Sequence, residues 1–559
     1  MSLSIPAFAG PGSDDSDTQP AKATSAAGSE IDQLKKMLLD QQRQIDELRR
    51  ALLQKNSEQR ADTNAASEVT APAVAKHDVG TSVGEVASTT PALPPSPVTT
   101  TAPLAATAIP ANPAPQGDSS PLQLKIGDAY ITPVGFMDMT MVSRSTNPGS
   151  GIGTNFGSIP YGNTQAGALT ETRLSPQNSR LGMRIDALYH DWKVLGYWES
   201  DFLGQLGNPP NGGLAVSSNP YVFRLRLYWV DLTKGKFEFL AGQSWSLMTP
   251  NRKGISPLPG DIFYSQDIDV NYQVGLTWGR IPGYRLGFHP NEKTAFAVAF
   301  ENSEPYVGGG NGGSAATLPA AFSAQSGAQL NAGNSVISAP ALIPDVIAKL
   351  AFDPTSRFHF EVDGVLIADK IANPTGVSGL PNFATHNKTG GGGSINLNVA
   401  LTKNFRLLTN NFWSDGGGRY IFGQAPDFII RSNGDISLVH SASTVTGFEA
   451  NVGKTLVYAY YGGVYIGKNL AIDTNGSKIG YGPISNDGQN RTIQEITFGT
   501  NSTLMRDPKW GAINLMFQYS YLQRNPWLVT GTSPTDAHLS MGFFNLRYTL
   551  PGSAPTLGK

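Results

Sequence analysis

The sequence predicts an all-β chain, a transmembrane antiparallel β-barrel of about 16 strands, preceded by an N-terminal coiled-coil helix. Three observations lead there. From residue 122 onward, stretches of alternating apolar and polar residues recur to the end of the chain. The connections between them alternate between long and short. No run in the 559 residues reaches the ~20 apolar residues of a membrane helix, so a chain that spans a bilayer does so with strands.

At the N-terminus, Ala7-Phe8-Ala9 matches an A-x-A cleavage site but follows too little apolar sequence for a full signal peptide, so residues 1–28 read as an export remnant or a disordered tip. Residues 29–57 read as a coiled-coil helix. Ile31, Leu34, Leu38, Gln41, Ile45, Leu48 and Leu52 step by three and four, as heptad a and d positions do. Ser29 caps its start, and Asp32 near the start with Arg49-Arg50 near the end suits the helix dipole. So narrow an apolar seam cannot bury itself. The helix is expected to self-associate through Ile31, Leu34, Leu38, Ile45, Leu48 and Leu52, or to dock on a partner such as the cell wall; self-association is the preferred reading. Residues 58–121 are rich in Pro, Ala and Thr and carry no periodicity, which marks a linker. As a flexible coil, ~60 such residues average ~45 Å end to end.

The barrel, residues 122–552, is clearest at 178–206. Leu181, Met183, Ile185, Ala187 and Tyr189 alternate with Arg180, Gly182, Arg184 and Asp186. After a minimal turn at His190-Asp191, Val194, Gly196, Trp198, Ser200 and Phe202 alternate with Lys193, Tyr197, Glu199 and Asp201. Pairing Tyr189 with Trp192 sets Arg184 opposite Tyr197 and Arg180 opposite Asp201, so both charged rows share one face. Further strands are expected at about 124–143, 221–233, 235–250, 270–289, 294–305, 344–353, 356–369, 391–402, 404–415, 441–452, 454–467, 491–503, 509–524 and 536–549. Short connections fall at Lys234-Gly235, 290–293, Pro354-Thr355, Lys403, Gly453 and 504–508. A meander through a membrane has this rhythm, with short turns in the periplasm and long loops outside.

Facing follows from parity. Phe223, Leu225, Leu227 and Trp229 read as outward and Arg224, Arg226 and Tyr228 as inward; Ile395, Leu397, Val399 and Leu401 oppose Asn396, Asn398 and Ala400; Ile513, Leu515, Phe517, Tyr519 and Tyr521 oppose Asn514, Gln518 and Ser520. Parity slips between Phe239 and Trp245. Tyr189, Trp192, Trp229, Phe237, Trp510 and Tyr548 lie near short-turn ends, where an aromatic girdle sits. Residues 553–559 form a polar tail.

Composition and motifs narrow the chemistry. Lys+Arg 41 against Asp+Glu 43 leaves a net charge of -2, which gives no basic footprint for nucleic acid, and the absence of Cys removes thiolate chemistry. Glycine clusters at 308–310, 390–393 and 416–418 lack the Lys-Ser/Thr of a phosphate loop and read as external loop tips. The His residues are scattered, and Gln243-Ser244-Trp245-Ser246 is not a nucleophile elbow. No cofactor, metal or catalytic motif emerges, and the chain reads as a non-enzyme.

The order of coil, linker and barrel, with LKIGDAYITPVGFMDMT at 124–140, SRLGMRI at 179–185, EFLAGQSWSLM at 238–248 and FFNLRYTLPG at 543–552, resembles the DcaP-like family of trimeric outer-membrane porins. The resemblance implies a homotrimeric, channel-forming barrel in outer-membrane lipid of a Gram-negative-type cell, with a periplasmic coiled coil and a preference for small anionic solutes such as dicarboxylates. The polar PGSAPTLGK ending departs from the terminal aromatic of porins generally.

Two candidate pore features follow. Arg180, Arg184, Arg224 and Arg226 sit near one level of the wall beside Glu199 and Asp201, as an anion-selecting row or a wall brace; Asp186 and Glu238 are within reach of them. The loop 251–269 carries Arg252 and Lys253 beside Asp261, Asp267 and Asp269, and reads either as a loop folded into the lumen or as an ordinary exposed loop. The rival reading is a trimeric envelope-tethering or surface protein that uses the barrel only as an anchor. About 12 strands would serve an anchor, whereas about 16 leave an aqueous lumen.

Overall fold

The computed structural model describes residues 122–204, 222–257, 268–309, 313–325, 329–331, 341–484 and 488–551. The expected coiled coil with Ile31, Leu34, Leu38, Ile45, Leu48 and Leu52, the linker, the polar tail, Asp261 and Asp267 lie outside the described residues. Within them, sixteen strands form one closed antiparallel barrel. They are β1 (Ala129–Arg144), β2 in two segments (Glu171–Ser175 and Arg180–Tyr189), β3 (Trp192–Gly204), β4 (Val222–Lys234), β5 (Phe237–Trp245), β6 (Arg280–Asn291), β7 (Thr294–Glu301) and β8 (Asp345–Thr355). The second half holds β9 (Phe358–Ala372), β10 (Thr385–Ala400), β11 (Phe405–Asp415), β12 (His440–Val452), β13 (Thr455–Ile466), β14 (Asn490–Asp507), β15 (Gly511–Pro526) and β16 (Ala537–Thr549).

Each strand pairs with its neighbour in sequence, and β1 closes the ring on β16 from Phe136↔Thr549 to Arg144↔Met541. The other edge of β1 pairs with both segments of β2. A short strand, Leu124–Ile126, folds back on Ala129–Ile131 and covers the first three residues of the stretch of β1 that β16 does not reach. In lipid no water can take up an open backbone group, so this closure is what lets strands cross.

Short turns require backbone shapes that the sequence supplies. His190, Gly235 and Gly453 have φ of 53°, 58° and 63°, the left-handed turn conformation that matches the twist of the flanking strands. The register expected for β2 and β3 holds, with Tyr189↔Trp192, Arg184↔Tyr197 and Arg180↔Asp201. Alternation is plain on β7, where Phe296, Val298 and Phe300 are exposed and Ala295, Ala297 and Ala299 are buried. Most outward rows are Met, Leu, Ile, Val and aromatic residues, with Thr409, Asn411, Thr444 and Thr446 as polar members on β11 and β12, while Glu361, Asn396, Asn410, Glu449, Glu495, Gln518 and Asn545 point inside. A soluble sandwich would have the opposite pattern.

Three readings of facing and position need correction. On β4 the register shifts so that Glu199 pairs with Leu227 and Ser200 with Leu225, which makes Arg226 an inserted residue. Beyond this bulge parity inverts: Leu227 and Trp229 are buried inside, and Tyr228 is 63% exposed outside. Trp229 therefore leaves the expected girdle and stacks on Tyr197 at 5.6 Å. The slip on β5 falls around Gly242, held at φ +131°. Glycines 390–393 are not a loop tip but part of β10, which starts six residues earlier than expected. A Cβ at Gly392 would lie 2.8 Å from Ser414 Cβ and 2.9 Å from the Phe412 ring, so only glycine admits these neighbours. Strand β14 likewise runs through a register shift at 503–505 to Asp507, which moves its turn to 508–510.

If the outward rows face hydrocarbon, a charge placed there is costly. Leu286→Arg, in the middle of β6 and 54% exposed, is expected to lower barrel stability by ~2–4 kcal/mol in lipid vesicles. Denaturant unfolding would check it; wild-type stability would mean that this face does not contact lipid.

Candidate functional site within the barrel

The β5–β6 connection, residues 246–279, is longer than the loop expected at 251–269 and its described parts run inside the barrel. The alternating residues Val270, Tyr272, Val274, Leu276 and Trp278 look like the start of a strand, but β6 begins only at Arg280. All five are buried in the interior. Its hydrogen bonds reach most of the way round the wall, which only an interior segment can do. Leu247 N donates to Glu301 Oε1 on β7 (2.7 Å), and Lys349 Nζ on β8 donates to Thr249 O (2.8 Å). Asn251 N donates to Glu361 on β9, and Asn398 Nδ2 on β10 donates to Arg252 O. Thr277 N reaches Asn410 on β11, Val274 N reaches Glu495 on β14, and Ile268 N reaches Gln518 on β15. Arg252 clamps Glu449 of β12 with two bonds of 2.8 and 2.6 Å, whereas Lys253 is exposed.

Close approach to the wall depends on glycine. Gly275 has φ +85°, and a Cβ there would lie 2.4 Å from Thr444 O and 2.6 Å from Gly463 O. The loop backbone thus lies directly on β12 and β13.

The arginine row forms a charged network on β2, β3 and β4. Arg224 grips Asp201 with Nε at 3.0 Å and Nη2 at 2.7 Å. Arg226, the bulge residue, bridges Glu199 (2.7 Å) and Asp201 (3.0 Å), and Arg180 reaches Glu199 at 3.4 Å. Arg280 is close enough to Asp201 to act on its charge and shares the Trp245 ring with Arg226. Among the described residues, four guanidinium groups thus face two carboxylates. The Arg226 and Asp201 side chains are wholly buried, but Arg224 keeps 21% of its side chain exposed. Arg184 stands apart, in a two-bond pair with Asp186. Glu238 does not join the row, because Arg285 and His289 hold it. Tyr272 of the inner loop points at this network; burial pushes its phenol up to about 12, against the pull of Arg180, Arg226 and Arg280. Its backbone is held at φ 64°, an uncommon conformation for an aromatic residue.

Sequence reasoning missed that other long loops also turn inward. An aromatic chain joins three of them: Tyr272 meets Trp278 edge-on at 5.9 Å, Trp278 stacks on Phe422 at 4.8 Å, and Phe422 meets Phe156 edge-on at 6.3 Å. In the β11–β12 loop, Arg419 pairs with Asp345 of β8, Asp369 of β9 and Asp427 of its own loop at 3.2, 2.5 and 2.8 Å. Burial disfavours its charge, but the three carboxylates outweigh that and raise its pKa well above the ordinary arginine value. The available signal was the apolar run Phe428-Ile429-Ile430, which is fully buried and out of place in an external loop.

No family model matches this sequence, and no curated protein matches it. Among solved structures it is similar to the outer membrane channel DcaP of Acinetobacter baumannii, with a TM-score of 0.53 and 14% identity over 76% of this chain and 98% of that one. An anion-selective porin from Comamonas acidovorans aligns with a TM-score of 0.41 and 13% identity, covering 75% of this chain and 99% of that one. The trimer form of OmpT from Vibrio cholerae aligns with a TM-score of 0.38 and 8% identity, covering 75% and 99%. The likeness to DcaP spans that protein almost end to end and agrees with the strand-by-strand geometry: this chain has the fold of the DcaP-like outer-membrane porins.

Proposed function

We propose that the chain is a porin, a water-filled channel for passive diffusion of small solutes across the outer membrane of a Gram-negative-type cell. The observation that carries this reading is the inverted barrel, apolar outside and polar inside, with a loop folded against its inner wall. Sixteen strands favour a channel over the anchor reading, since a narrower barrel would suffice to hold a tether. We propose a homotrimer, from the heptads at Ile31 to Leu52 and from the barrel size, with the coil in the periplasm and free to meet the cell wall. Deleting residues 1–60 is expected to leave a folded, membrane-inserted barrel, because the linker separates the two parts. Failure of that truncation to insert into vesicles would refute the division.

The inner loop is the proposed constriction. Removing part of residues 251–269 should raise single-channel conductance in planar bilayers while heat-modifiable migration shows that the barrel still folds. An unchanged conductance would place the narrowest point elsewhere.

We further propose a preference for small anions such as dicarboxylates. What supports it is the surplus of guanidinium groups over carboxylates at Arg180, Arg224, Arg226 and Arg280, because guanidinium forks bind carboxylates bidentately and a narrow lumen weakens screening. Arg226 is a poor test, since it is wholly buried and bridges both carboxylates, so that removing it threatens folding. Arg224 is the better one, as it is partly exposed and Arg226 still holds Asp201. Arg224→Ala should move the reversal potential in a salt gradient toward cations and slow uptake of a small dicarboxylate roughly threefold, a fraction of what electrostatic focusing supplies. Wild-type values in both assays would make the network a wall brace alone.

A further inference from the structure

The outer wall of the barrel is not the same all round. On β7 it shows Phe296, Val298 and Phe300, and along the seam of β1 and β16 it shows Met137, Met139, Phe544 and Leu546. On β11 and β12 the same alternation brings out Thr409, Asn411, Thr444 and Thr446. These four form two adjacent cross-strand pairs, Asn411↔Thr444 and Thr409↔Thr446. Their height matters as much as their polarity. Phe405 opens β11 at a short turn. At ~3.4 Å per residue and a strand tilt of ~40°, Thr409 and Asn411 stand ~10–16 Å above it, in the middle of an apolar band ~25 Å tall.

The polar groups are linked to one another. Thr409 Oγ1 and Thr446 Oγ1 are 2.8 Å apart, Thr444 Oγ1 donates to Asn411 Oδ1 at 2.8 Å, and Asn411 Nδ2 donates to Thr409 Oγ1 at 2.9 Å. A primary amide has two N–H donors and a hydroxyl oxygen two lone pairs, so this network still has bonding capacity to turn outward. The wall around it is also shallow. Gly393 of β10 pairs with Gly364 of β9 and with Trp413 of β11, and Thr444 pairs with Gly463 of β13. A Cβ at Gly463 would meet Tyr461 Oη at 3.2 Å and Thr444 Cγ2 at 3.6 Å, which puts that position on the outer side. Towards the long-loop end of the same face, Trp413 and Tyr465 border a groove lined by Gly391 and Ala442.

Acyl chains give amides and hydroxyls nothing to bond with, and a shallow wall gives them no extra contact. A protein surface supplies both, because small residues let backbones approach closely and Asn and Thr bond across the contact. The occupant that fits is a second copy of this chain. Amides and hydroxyls donate and accept alike, so identical groups set round a rotation axis can close a ring in which each copy donates to the next. None of the four groups is charged, so like copies meet there without repulsion. We propose that the outer face of β10 to β13, centred on Thr409, Asn411, Thr444 and Thr446, surrounds the three-fold axis of the homotrimer. This rests on the homotrimer reading above and adds which wall the copies share.

The chain has no Cys, so one introduced cysteine reports one position. Full-length protein in lipid vesicles carrying Asn411→Cys, Thr446→Cys or Tyr465→Cys is oxidised with copper phenanthroline and run on a denaturing gel. At least one of the three should give a covalent dimer, the most that three cysteines round an axis can form. Met139→Cys and Val298→Cys, outward on β1 and β7, are the controls and should stay monomeric. Native mass spectrometry of the wild type reads the subunit number separately. Dimers from either control, or from none of the three positions in protein whose mass is trimeric, overturn the proposal. A wild type with the mass of a monomer removes the homotrimer reading and the proposal with it, and the mass tells the two failures apart.

Discussion

A peptide group in hydrocarbon has no water to bond with, and every other feature of this barrel is arranged around that fact. The sheet must close, so β1 pairs with β16 on one edge and with both segments of β2 on the other, and the short strand at 124–126 covers the start of β1. Closure then sets the two faces. Strands turn alternate side chains outward, and most of these are apolar; the rest turn inward, where polar groups meet one another. Bulges are the places where this rule is locally reset. On β4 the inserted Arg226 brings Leu227 and Trp229 inside and, being at the bulge, reaches both Glu199 and Asp201.

An interior lined with polar groups has its own difficulty once loops fold into it, since each buried group then needs a partner. The structure meets this with ionic ties between loops and wall. Arg252 on Glu449 and Arg419 on three aspartates fasten the β5–β6 and β11–β12 loops, while wall carboxylates accept loop backbone N–H groups at Leu247, Asn251 and Val274. Such pairs do more to specify position than to add net stability, because desolvation offsets much of their attraction. Here the position they specify is that of the loops, and so the shape of whatever space remains for a solute. The aromatic contacts among Phe156, Tyr272, Trp278 and Phe422 act alongside them, joining three loops that are far apart in the chain.

The architecture could be read from local pattern because a barrel is built from nearest neighbours in sequence. Each hairpin carries its own evidence in alternation and turn residues, and the register of β2 on β3 follows from a two-residue turn at His190-Asp191. Sixteen strands and their long and short connections are therefore a property of the sequence taken a hairpin at a time. The same locality explains the errors. A bulge at Arg226 leaves no mark in residue type, and the alternation of Val270 to Trp278 is the same whether that segment is paired in the wall or packed inside it.

What the sequence by itself determined was the class of fold, the strand count, the facing of most strands and the presence of charged residues on β2 to β4, since all of these rest on a period of two and on turn chemistry. Only the tertiary structure decided which of those charges meet. Arg184 goes to Asp186, Glu238 to Arg285 and His289, and Glu199 and Asp201 to the remaining arginines. It also decided that Val274 comes to rest against Glu495 and Gln273 against Gly462, some two hundred residues away. Such pairings depend on where a loop settles across the lumen, and that position is fixed by side chains from strands all round the ring, which no local pattern records.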